Sequence, residues 1–118
     1  MNGGIWLTIS DIEKKTNIAS GDLRLYIEEG LLDLDAVQID DEKAWKDMKM
    51  LDELAKIGMK PEALRQMKEL MDQGDLSKEP QIRFLKKWRF QILDDLHVRQ
   101  QSLDRLDYMI YTMKQEQK

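Results

Sequence analysis

In this 118-residue chain few side chains combine a type and a spacing that could do chemistry. Before position 43 the only cations are Lys14, Lys15 and Arg24, and the hydroxyls of Ser20 and Tyr26 lie close to them in sequence. Positive heads and O–H donors can hold anionic oxygens by charge-assisted hydrogen bonds, and here they can equally serve neighbouring carboxylates or helix ends. Catalysis has no comparable starting set. There is one histidine, His97, no cysteine, no Ser/His/Asp grouping, no metal-ligand cluster and no glycine-rich phosphate loop. The expectation is a protein that is not an enzyme and has no catalytic residues, no metal site and no cofactor. Without cysteine, disulfides, thiolate metal centres and thiol redox sensing are excluded.

The elements that must position those donors are short helices. In "TISDIEKKT" Ser10 stands three residues before Glu13, a capping-box spacing, and Ile9 and Ile12 share a face. "NIAS" reads as a tight turn, since asparagine at 17 tolerates a left-handed backbone. Ser20 can cap the next helix, "GDLRLYIEE", with Asp22 in its first turn and Gly30 closing it. Two short helices with a turn of about four residues form a helix-turn-helix pattern. Arg24 has two readings, a phosphate contact or a surface pair with Glu28 four residues on. Tyr26 also has two, a contact residue or a half-buried member of the core.

Residues 31–40, "LLDLDAVQID", alternate apolar and acidic positions, which allows a short strand or hairpin. Asp40 or Asp41 can cap a third helix running to Ile57 and ended by Gly58. Pro61 opens a fourth, which stops at Gly74 and aligns Leu64, Met67, Leu70 and Met71 on one face. Met48, Met50, Met59, Met67 and Met71, with Trp45, are read as ordinary core, the alternative being an adaptable pocket.

From Ser77 nothing interrupts a helix, and Pro80 falls in its first turn. Ile82, Leu85, Ile92, Leu96, Leu103, Leu106, Ile110 and Met113 follow a strict 3-4 spacing, with Arg89 and Arg99 at the two remaining heptad positions. At about 1.5 Å per residue that stretch is roughly 50 Å long, more than a small domain can cover. It predicts a coiled-coil dimer with a second copy. Arg89 and Arg99 either set the register of pairing or reach solvent past their stems. Trp88 either covers the first domain or packs across the dimer, and His97 is expected at the surface. The domain boundaries are 1–75 for a compact N-terminal domain and 76–118 for the dimerisation helix. With the chain ending directly after that helix, no separate ligand domain is expected.

Charge is unevenly placed. Residues 1–58 hold seven Lys or Arg against thirteen Asp or Glu, a balance of −6; residues 59–118 hold twelve against ten, a balance of +2, giving the net −4. Asp33, Asp35, Asp40, Asp41 and Glu42 cluster where residues 33–42 contain no cation.

The whole chain resembles the MerR family of transcriptional regulators. Thr8, Ile9 and Ile12 match the family's opening. Leu23, Arg24, Tyr26, Gly30, Leu31 and Leu32 match its Leu-Arg-Tyr-Tyr-Glu run closed by Gly-Leu-Leu. Leu54, Ile57, Gly58 and Met59 echo its Leu-x-x-Leu-Gly-Phe, and "LDRLDYMIYTMKQ" is similar to the end of its dimerisation helix. The departures are Gly21 and Asp22 at the start of the second helix, Leu25 for the first Tyr, and "AVQID" in place of a basic wing motif. The resemblance implies an all-α fold: a winged helix-turn-helix domain with a small or absent β wing, then a long antiparallel coiled-coil dimerisation helix.

It further implies a homodimer that binds double-stranded DNA at a promoter, with Lys14, Lys15, Ser20, Arg24 and Tyr26 as the DNA-binding residues. RNA polymerase or another regulator is a further expected partner. The alternative is a protein of this fold that has lost strong DNA binding and acts as a protein-interaction module or antagonist of another regulator. No apolar run approaches the roughly 20 residues that span a bilayer, and no signal-peptide pattern opens the chain, so no membrane association and a cytoplasmic location are expected.

Overall fold

A computed structural model describes residues 7–38 and 40–117; positions 1–6, 39 and 118 lie outside the described residues. Its elements are all helical: α1 (Ile9–Thr16), α2 (Ser20–Glu28), α3 (Glu42–Lys56), α4 (Pro61–Asp72), a 3-10 turn (Gly74–Ser77) and α5 (Lys78–Glu116). The chain divides into two units between Lys78 and Glu79. No described helix is long and apolar enough to cross a membrane.

The start of α1 corrects the expected cap. Thr8, extended at φ −103° and ψ 162°, is the N-cap, and its hydroxyl accepts the Asp11 N–H at 3.1 Å. The Asp11 carboxylate accepts the Thr8 N–H at 3.0 Å, completing the box. Ser10 therefore lies inside the helix and Glu13 is exposed. Asn17 ends α1 in the left-handed region at φ 61°, as its type predicts, and its N–H reaches the Glu13 carbonyl at 2.7 Å. The Thr16 hydroxyl donates to the Ile12 carbonyl at 2.8 Å and accepts from the Ile18 N–H at 3.2 Å, holding the connection to α2.

Ala19 rather than Ser20 is the N-cap of α2, with no side-chain capping bond; Ser20 is already the first helical residue. At the other end Gly30, at φ 77°, lets the Leu31 N–H turn back to the Tyr26 carbonyl at 2.8 Å. The segment after it is a second correction. Residues 34–36 form a turn rather than part of a strand, with the Ala36 N–H on the Asp33 carbonyl at 3.1 Å and the Asp35 N–H on the Asp33 carboxylate at 3.0 Å. No strand occurs among the described residues. Asp33 satisfies the backbone locally, and that competes with ladder formation.

Asp41, not Asp40, caps α3 through the Ala44 N–H at 3.0 Å. Gly58 follows that helix at φ 104°, and Pro61 stands at the first position of α4. In the first unit α1 packs on α2 and on α3, and α3 packs on α4. The core includes Ile12, Ile18, Leu23, Leu31, Trp45, Met48, Leu51, Met59, Leu64, Met67 and Met71. Each such side chain removed from water contributes about 1.5–3 kcal/mol. Met50 departs from the expected core and lies 43% exposed, while Leu70 is half-buried.

The second unit is almost wholly α5, a helix of 39 residues and so about 58 Å long. None of its side chains is buried.

Candidate nucleic-acid interface

Lys14 and Lys15 occupy the last turn of α1, and both are exposed. Arg24 is exposed on α2, and of its two readings the pair with Glu28 does not form: no carboxylate lies within ion-pair distance of it among the described residues. Lys15 faces Glu42 at the start of α3, 3.7 Å away. That pair is open to water on both sides, so it costs little to break. Ser20 is half-buried at the start of α2.

Tyr26 sits apart from these donors. It is 4% exposed, and its hydroxyl donates to the Asp52 carboxylate on α3 at 2.5 Å. The other Asp52 oxygen meets the Lys56 ammonium at 2.8 Å. Burial, reinforced by the neighbouring Asp52 carboxylate, pushes the Tyr26 phenol well above its ordinary range, so it holds its proton. The hydrogen bond with Asp52 and the Coulombic pull of that carboxylate likewise raise the Lys56 ammonium. Tyr26 thus ties α2 to α3, and three of the five expected donors, Lys14, Lys15 and Arg24, remain as exposed cations.

Sequence reasoning passed over Asp52. Its spacing from Lys56 is a recognisable i,i+4 pair, but nothing local in the sequence connects either to Tyr26. It also passed over Lys43, whose ammonium donates to Asp47 at 2.6 Å and to the Met71 carbonyl at 3.0 Å, joining α3 to α4. Arg65 on α4 donates to the Glu29 carbonyl at 3.2 Å, a third such tie.

Between α2 and the first residue of α3, Asp33, Asp35, Asp40, Asp41 and Glu42 are all exposed. On α5 the heptad positions are open: Ile82 42%, Ile92 42%, Leu96 61%, Leu103 51%, Leu106 55%, Ile110 52% and Met113 63% exposed, with Leu85 intermediate. Arg89, Arg99 and His97 are exposed as well. Among the described residues no three His, Asp or Glu side chains converge on a point that could hold a metal ion. Comparison with protein-family models, with curated proteins and with solved structures gave no match.

Proposed function

We propose that the protein is a dimeric DNA-binding transcriptional regulator of the MerR type, acting at a promoter. In this reading α1 and α2 form a helix-turn-helix, and α5 pairs antiparallel with α5 of a second copy. The observation that carries it is the sorting of side chains in the first unit. Ile12 and Leu23 of these two helices are buried, with Ile18 of the connection between them, while Lys14, Lys15 and Arg24 on the same two helices are exposed. The exposed stripe along α5 supports the dimer, since an apolar seam of that length gains most by covering itself.

Selection of bound fragments from a random DNA pool by the purified chain, followed by a salt titration of the winner, tests this reading. Three cations per subunit make six per dimer, or four where Lys15 stays with Glu42. The affinity should then fall with a log–log slope of roughly −4 to −5. Absence of any binding near 50 mM salt, where counterion release is strongest, overturns the reading.

A second reading follows from a different observation. Five exposed carboxylates and no cation occupy residues 33–42, in a segment of turns where a winged domain would place a basic hairpin. Like charge there opposes a phosphate backbone and favours a basic protein surface. In this reading the chain is an interaction module or antagonist: its acidic face engages another regulator or RNA polymerase, or its long helix pairs with a true DNA-binding regulator. Failure of DNA selection together with capture of a defined basic partner would favour it.

A further inference from the structure

Between the turns of residues 31–38, the start of α3 and the end of α4 lies a groove of about 290 Å³. Leu32, Val37, Ala44 and Met48 give it an apolar floor. Its rim carries Asp33, Asp41, Asp47 and Asp72 against Lys43 and Lys68. Both lysines are already spent, Lys43 on Asp47 at 2.6 Å and Lys68 on Asp72 at 2.8 Å. Two negative charges remain, on Asp33 and Asp41, and no ammonium lies within ion-pair distance of either among the described residues. Each accepts one backbone N–H, from Asp35 and Ala44 respectively, which leaves most of its acceptor capacity unused.

An apolar floor under an uncompensated acidic rim repels anions and fits a group with an apolar stem and a positive head. The volume falls at the bottom of the range for small-molecule sites, and so matches inserted side chains better than a whole ligand. We propose that this groove docks a basic, apolar segment of a partner protein. A lysine or arginine of that segment lays its stem over Val37, Ala44 and Met48 and turns its head to Asp33 and Asp41. The inference rests on the second reading above and names its site.

The test is a nuclear magnetic resonance titration of the ¹⁵N-labelled full chain with an acetylated, amidated octapeptide of alternating leucine and lysine. A leucine–glutamate octapeptide is the control. Amide shifts are expected in residues 31–38, 41–48 and 68–72, with none from the glutamate peptide. The double variant Asp33→Asn, Asp41→Asn keeps the turn and the helix cap, because asparagine serves both, and removes the two charges. It should bind the lysine peptide roughly tenfold more weakly. The variant Asp94→Asn, Asp95→Asn, with the same change in net charge placed on α5, should bind within about twofold of the parent.

Shifts confined to 33–42 with 43–48 and 68–72 unmoved, or equal weakening by both double variants, overturn the groove while leaving an acidic contact face standing. No shift anywhere overturns the acidic-face reading and the groove with it. Saturation of the same amides by n-butylammonium at the peptide's own affinity assigns the site to small cations and overturns the docking role.

Discussion

Asp52 is the one buried carboxylate among the described residues, and each of its oxygens has a donor, the Tyr26 hydroxyl on one and the Lys56 ammonium on the other. Losing either leaves a buried carboxylate oxygen short of a partner, which costs more than the net worth of the bond. Tyr26→Phe keeps the ring in place and removes only the donor. It should lower stability by about 1–3 kcal/mol at pH 8, measured by urea unfolding. The pH dependence has a definite sign. The folded state raises the Tyr26 phenol and the Lys56 ammonium, so each contributes stability below its unfolded value, near 10 for both, and that contribution is lost as pH rises toward the raised folded value. The parent should therefore lose stability above about pH 10, and Tyr26→Phe should show a shallower slope there, by up to one proton. An unchanged slope would detach the phenol from this network. The same pair shows where the sequence ran out. Lys14, Lys15 and Arg24 could be read as exposed cations from their place on two short helices. The commitment of Tyr26 to a residue 26 positions away is a tertiary fact with no local signal.

At the scale of elements, the breaks between helices were legible because each needs a backbone that few residue types adopt. Asn17 and Gly30 take positive φ where the chain reverses, and Pro61 opens α4 where its missing N–H costs nothing. The starts were less legible: at α1 and α3 two polar residues competed for the cap, and α2 follows Ala19 with no side-chain cap at all. Ser10 and Thr8 both precede an acidic residue by three, and what separates them is how far toward the N-terminus the apolar face continues: Ile9 is half-buried, which draws it into the helix and leaves Thr8 outside. Thr8→Ala should then cost about 1 kcal/mol in urea unfolding, and Ser10→Ala should change stability by less than about 0.5 kcal/mol. The reverse ranking would move the helix start. The alternation in 31–40 misled for a related reason. Period-two patterning is weak evidence when the polar positions are aspartates, which bond their own backbone and close turns instead.

At the scale of the whole molecule, the α5 dimer proposed above would have a direction set by its charges. With Ile82 and Met113 at opposite ends of the seam, full antiparallel overlap sets Ile82 against Met113, Leu85 against Ile110 and Ile92 against Leu103 of the second copy. The flanking positions then bring Lys86 beside Asp107 and Glu79 beside Lys114, each twice by symmetry, and set Trp88 beside Met109. Parallel pairing places Trp88 near Leu93 and Ser102 near Asp107, and forms no opposite-charge pair at these positions. Single exposed ion pairs contribute only about 0.2–1 kcal/mol, so in the proposed dimer the seam would supply most of the affinity and the charges would choose the direction. Asp107→Lys turns two attractions into two repulsions in the antiparallel dimer and should weaken dimerisation roughly tenfold by sedimentation equilibrium at low salt. Adding Lys86→Asp to the same chain restores both pairs with their signs exchanged and should recover most of the loss. In a parallel dimer the two positions lie far apart along the helix, so the second substitution would bring no recovery. Recovery therefore reads out direction independently of whether the protein binds DNA.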